Sequence, residues 1–137
     1  MDTVLLLARI LFAGIFVASG MAHLTKLEAM VGYAKYKKVP AAKLSVIVSG
    51  LMILIGGLSI VFGIYADLGA LLIAIFLVPT AFMMHTFWKE SDATAKQNEM
   101  TNFLKALSLA GAALIIFIIV ARGGDIGPSI TGPFFNI

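Results

Sequence analysis

The chain has no cysteine. That removes disulfides, thiolate metal sites, iron–sulfur clusters and dithiol redox chemistry from anything its own side chains do. Charge is scarce too: only 12% of the 137 residues are Asp, Glu, Lys or Arg. No carboxylate lies deep in the second, third or fourth apolar run described below. An acidic proton or ion relay across a membrane is therefore not expected. There is no glycine-rich phosphate loop, no Ser-His-Asp set, no HExxH and no metal-ligand cluster. No inverted repeat is evident, and four helices are few for a secondary transporter.

What the chain does have is apolar length. Hydrophobic residues make up 61% of it, gathered into four runs, Thr3–Ala22, Leu44–Ile64, Leu68–Phe87 and Phe103–Ala121. Each is about 20 residues, and a helix of that length spans the ~30 Å hydrocarbon core of a bilayer. A soluble domain of this size could not hide so much apolar surface. The fold expected is all-α, an integral membrane four-helix bundle forming a single domain over residues 1–137. Lipid is the expected partner and nucleic acid is not. The net charge of +3 reflects lysines placed where membrane topology puts them. No basic stretch precedes the first run, which is too long for a signal-peptide core, so it reads as a retained helix.

All the lysines fall in two segments. Lys26, Lys35, Lys37, Lys38 and Lys43 lie between the first two runs; Lys89, Lys96 and Lys105 lie between or just inside the last two. The positive-inside rule then places loops 23–43 and 88–102 in the cytoplasm and both termini outside, in a multi-pass inner-membrane protein. Leu27–Tyr36 mixes apolar, aromatic and lysine residues. It reads equally as a short helix on the inner leaflet or as a solvated loop. Trp88–Glu99 is a polar connector of mixed sign, partly helical as it enters the last run. The tail Gly123–Ser129 is rich in breakers and should be irregular, with Phe134 and Phe135 dipping back into the outer interface.

Small residues recur at helix-packing spacing: Gly14, Ala18 and Ala22; Ser45 and Ser49; Gly56, Gly57 and Gly63; Ala106 and Ala110. Such rows let helix backbones approach closely in lipid. Pro79 interrupts the third run and frees a carbonyl that the Thr80 hydroxyl is placed to satisfy.

Few residues are candidates for chemistry. Arg9 sits two turns into the first run, where an arginine costs a few kcal/mol unless it faces the bundle with a partner. Asp67 and Asp125 are the carboxylates placed to pair with it; an anionic or quinone-like ligand is the other reading. His23 and His85 share the cytoplasmic end of their helices, and with Trp88 and the neighbouring Phe82 and Phe87 they could wall a flat pocket. Arg9, His23, His85 and Trp88 are the expected cofactor-binding residues. A quinone or lipid is the ligand that fits them best, with bis-histidine haem behind it. Plain interfacial roles for these histidines and the tryptophan compete with all of these.

Several short motifs, taken in order, match a known pattern. They are Arg9 with Ser19-Gly20 and Lys26; Gly56-Gly57-Leu58 with Gly63; His85-Thr86-Phe87-Trp88 followed by Glu99 and Phe103-Leu104-Lys105; and Gly127-Pro128-Ser129-Ile130. Together they resemble the DoxX-like family of small four-helix membrane proteins over nearly the full length. The chain departs from that pattern at Val48–Met52, where many relatives carry a glutamate and this sequence has none. The resemblance implies the fold, and a membrane subunit associated with thiosulfate:quinone oxidoreduction or with oxidative-stress complexes. The expectation is an accessory or anchor subunit of a quinone-linked redox assembly, not catalytic alone. The alternatives are a quinone-reducing subunit of a thiosulfate:quinone oxidoreductase-type enzyme and a purely structural subunit of a larger respiratory or photosynthetic complex.

Overall fold

The computed structural model describes all of residues 1–137. It is all-helical. Four long helices, α1 (Asp2–Thr25), α3 (Ala42–Phe62), α4 (Ala66–Met84) and α5 (Ala93–Ala121), are joined by a shorter α2 (Leu27–Tyr36) and a single 3₁₀ turn at Phe87–Lys89. The four long helices are each apolar and long enough to cross a bilayer. They run alternately up and down in the order α1, α3, α4, α5. This sets the lysine-bearing connections at one end, the lysine end, and both termini at the other, the tail end.

Only 27 of 137 residues are buried, while Leu11, Leu44, Ile55, Ile75 and Ile115 are exposed. A water-soluble bundle could not leave such residues outside, so these surfaces face lipid. With lipid as apolar as the core, the helices are held by close packing of small side chains. The α4–α5 seam consists of Ala70, Ala74 and Ala81 against Ala106, Ala110 and Ala113, with Ile73 and Leu77 filling the centre. Ala106 and Ala110 are thus a packing row, as their spacing suggested.

The α1 row is different. Gly14 and Ala18 are exposed, and a Cβ on Gly14 would meet nothing within 4 Å. The buried face is Ala13, Phe16 and Gly20, one residue around the helix. Both rows have acceptable spacing, and only the partner's shape selects between them. That partner is α3, where Gly57 lies so close that an added Cβ would come within 2.9 Å of the Val17 side chain. Its neighbour Gly56 faces the other way, with its Cβ position 2.8 Å from the Gly69 carbonyl of α4. Adjacent residues on a helix project about 100° apart, so the glycine pair lets α3 touch two helices at once.

The structure decides three local features. Leu27–Tyr36 is a helix, packed on α3 through Ala34, Ala42 and Val46. Second, α5 begins ten residues before the apolar run: Asp92 caps it by accepting from the Ala95 N–H at 2.9 Å, and the polar stretch that follows is fully helical. Its 29 residues make it about 44 Å long, so its first turns project beyond the hydrocarbon core. Third, α4 continues through Pro79 to Met84. Thr80 makes no hydrogen bond to the carbonyl that Pro79 leaves without a donor.

Candidate functional site

The tail end contains the two most buried charges. Arg9 is 5% exposed and Asp67 is wholly buried. They do not pair with each other, and Asp125 pairs with neither. Arg9 Nε donates to the Ile60 carbonyl (2.8 Å) and Nη2 to the Val61 carbonyl (2.7 Å), both in the last turn of α3. Its Nη1 donates to the carbonyls of Ile126 (3.1 Å) and Pro128 (2.6 Å) in the tail. The last carbonyls of any helix lack intrahelical donors, and the helix dipole makes that end negative, so a guanidinium there meets two needs together. Asp67, in the first turn of α4, accepts from the Phe134 N–H (2.9 Å) and the Phe135 N–H (2.7 Å). Asp125 is exposed and accepts only from the nearby Gly127 N–H.

The same segment closes on Gly63. This residue ends α3 at φ 63° and its carbonyl accepts from the N–H groups of Ile130 and Thr131. A side chain at Gly63 would be strained at that φ, and its Cβ would fall 2.6 Å from Ser129. Residues 126–135 thus form a strap, neutralising by backbone groups what carboxylate pairing was expected to neutralise. Phe135 packs edge-on against Phe117 of α5, and Phe134 against Tyr65.

The lysine end contains a cavity of about 530 Å³ between α1, α2, α3 and α4. Its walls are mostly apolar, with Tyr33, Phe76, Pro79 and several methionines, and no lysine, arginine or carboxylate lines it. The polar device within it is His23 with Ser49. His23 Nδ1 lies 3.1 Å from the Val46 carbonyl and 3.2 Å from Ser49 Oγ, and Ser49 Oγ is itself 3.2 Å from that carbonyl. Gly50 makes the arrangement possible, since a Cβ there would come within 2.6 Å of the His23 Cβ. Phe76 meets the imidazole edge-on at 6.3 Å.

His85 and Trp88 lie outside this cavity, on the α5 side. His85 Nδ1 is 3.1 Å from Glu99 Oε2, the one ion pair in the structure when the imidazole is protonated. Trp88 packs with Phe82, Phe87 and Phe103 in an aromatic cluster. Of the four residues expected to share a pocket, therefore, only His23 lines the cavity. Arg9 is at the opposite end with four carbonyls around it. His23 and His85 are tied to different helices, α3 and α5, which is not an arrangement that presents two imidazoles to one iron.

Several residues of the cavity and the strap were not legible beforehand. Ser49 reads as a packing residue in sequence, and Gly50 reads as nothing in particular. The available signal was spacing, because Gly50 and Gly57 are seven apart and share a helix face. The strap carbonyls carry no sequence signal, since every residue has one.

Comparison with known proteins yields two matches. The family model described as DoxX matches residues 4–86. The chain is also similar to inner membrane protein YphA of Escherichia coli (strain K12), at 30% identity over 114 residues, 83% of this chain and 81% of that protein. No solved structure matches.

Proposed function

Because the chain belongs to the DoxX family of membrane proteins, we propose that it serves as an accessory, anchoring subunit of a quinone-linked redox assembly in the inner membrane. The cavity between α1, α2, α3 and α4 is where it holds an apolar ring ligand. One observation carries this reading: an apolar cavity of about 530 Å³ with a single histidine–serine pair in its wall. Ligand sites for apolar rings have this character, mostly greasy with a few fixed polar groups. A quinone, when bound, supplies two-electron, two-proton carriage within the membrane. The chain's own part is to hold the ring against Phe76 and Tyr33 and to orient its oxygens at His23. Without cysteine, electrons reach such a site from partner subunits.

The test is mild-detergent purification from native membranes, with mass spectrometry of co-purifying proteins and of extractable quinone. Redox subunits together with near-stoichiometric quinone are expected, and His23→Phe should lose the quinone while keeping the partners. A lone bundle without quinone would sink the proposal. One observation favours a second reading, a purely structural subunit packed against a larger complex. Gly14 and Ala18 form an exposed row of small residues on α1, the kind of surface on which another helix packs in lipid. Partners that co-purify with the unaltered protein in the absence of any quinone would support it.

For orientation we propose that the lysine end is cytoplasmic and the strap lies outside, on the lysine asymmetry of the loops. The absence of cysteine makes this clean to check. Ser91→Cys and Asn136→Cys introduce one thiol each, at opposite ends. A membrane-impermeant maleimide added to spheroplasts should label N136C and spare S91C until the membrane is opened. The reverse pattern would invert the topology.

A further inference from the structure

The hydrogen-bond geometry of the cavity discriminates between ligands by what they donate. The Val46 carbonyl can only accept, so the His23 nitrogen 3.1 Å from it must carry the proton; the opposite tautomer would press two lone pairs together. Ser49 fits the same assignment. Its hydroxyl donates to the Val46 carbonyl at 3.2 Å, and its oxygen accepts from His23 Nδ1–H. In the neutral imidazole, Nε2 is then a bare acceptor, and it has no partner in the protein. Swinging the ring to exchange its nitrogens would take Nδ1 away from both the Val46 carbonyl and Ser49 Oγ.

One other fixed side chain of the cavity agrees. Ser45 Oγ spends its proton on the Pro40 carbonyl at 2.7 Å, leaving only lone pairs. The hydroxyls of Tyr33 and Thr80 turn either way and do not discriminate. The side chains in the wall whose hydrogen positions are determined, His23, Ser45 and Ser49, therefore offer acceptors, and they stand on α1 and α3.

We infer that this is an acceptor-lined site for a hydroxylated ring carrying an apolar chain. Of a quinone and its hydroquinone, it selects the hydroquinone. This rests on the cavity being the ligand site proposed above. A quinone brings two carbonyl oxygens, which would face lone pairs in an apolar wall. A hydroquinone brings two O–H donors, one for His23 Nε2. Sites built to bond a hydroxyl reject the analogue that lacks it, because the buried partner is left unpaired.

The experiment uses the full chain in phosphatidylcholine nanodiscs and three probes of one shape: a decyl-chain benzohydroquinone held reduced, its quinone, and its dimethyl ether. The hydroquinone should bind about tenfold or more tighter than either of the others. His23→Phe should bring the three affinities together by weakening the hydroquinone alone. The comparison on the unaltered protein stands even if that variant folds poorly. Equal affinity for hydroquinone and dimethyl ether, or tighter binding of the quinone, would overturn the inference and leave the proposed function in place. Failure of all three probes to bind would remove both.

Discussion

Replacing Arg9 with leucine will destabilise the bundle by about 3–5 kcal/mol, because it strips the donors from carbonyls buried at the tail end and leaves them unpaired. The four acceptors come from two places, the last turn of α3 (Ile60, Val61) and the strap (Ile126, Pro128). Leucine is ordinary in a membrane helix, and on hydropathy alone the change should be favourable. The structure predicts the opposite sign. Reversible unfolding in mixed detergent–SDS micelles, followed by circular dichroism, measures it. Arg9→Lys should recover no more than about half of the loss, because an ammonium is a point donor and cannot bridge both groups as the planar guanidinium does. An R9L protein as stable as the parent would mean that water reaches these carbonyls.

The second large effect is at Asp67. Its two oxygens each accept one backbone N–H, from Phe134 and Phe135, so Asp67→Asn turns one acceptor into a donor facing a donor. The expected cost is about 2–3 kcal/mol, and it should fall on the strap more than on the bundle. Hydrogen exchange at the Phe134 and Phe135 amides should accelerate markedly, and residues 126–137 should become protease-sensitive, while the helices remain protected. Asp125→Asn is the control. That carboxylate is exposed and bonds only the Gly127 N–H two residues away, so its loss should cost less than about 1 kcal/mol. Equal effects at both positions would remove the distinction drawn between them.

Both predictions concern charges that sequence reasoning offered as partners, with a ligand as the other reading for Arg9, and that the structure keeps apart. A buried arginine in an apolar helix needs partners, and carboxylates are the partners that can be named from a sequence. The structure uses carbonyls at a helix end and in a strap, which are present in every chain and become visible only once the backbone is placed. The small-residue rows show the same limit. Ala106 and Ala110 lie in the seam their spacing suggested, whereas on α1 the buried face is Ala13, Phe16 and Gly20 and the Gly14–Ala18 row is outside. Spacing specifies that a face exists and leaves its azimuth to the neighbouring helix.

The candidate site divides in the same way. His23 was marked by being a rare polar residue at the end of an apolar run, and it lines the cavity. His85 and Trp88 were marked by the same reasoning, and they join Glu99 and an aromatic cluster instead. Ser49, Gly50 and the covering helix α2 complete the cavity, and their sequence signals pointed to packing and to a surface helix or loop rather than to a site.

By itself the sequence determined the solvent and the architecture: four apolar helices long enough for a bilayer, because hydrocarbon admits only backbone that satisfies its own hydrogen bonds. Tertiary structure alone decided the partners of the charges, the azimuth of each helix and the residues that share the cavity. Those depend on distances of a few ångströms between segments far apart in the chain, and local periodicity has no information about them.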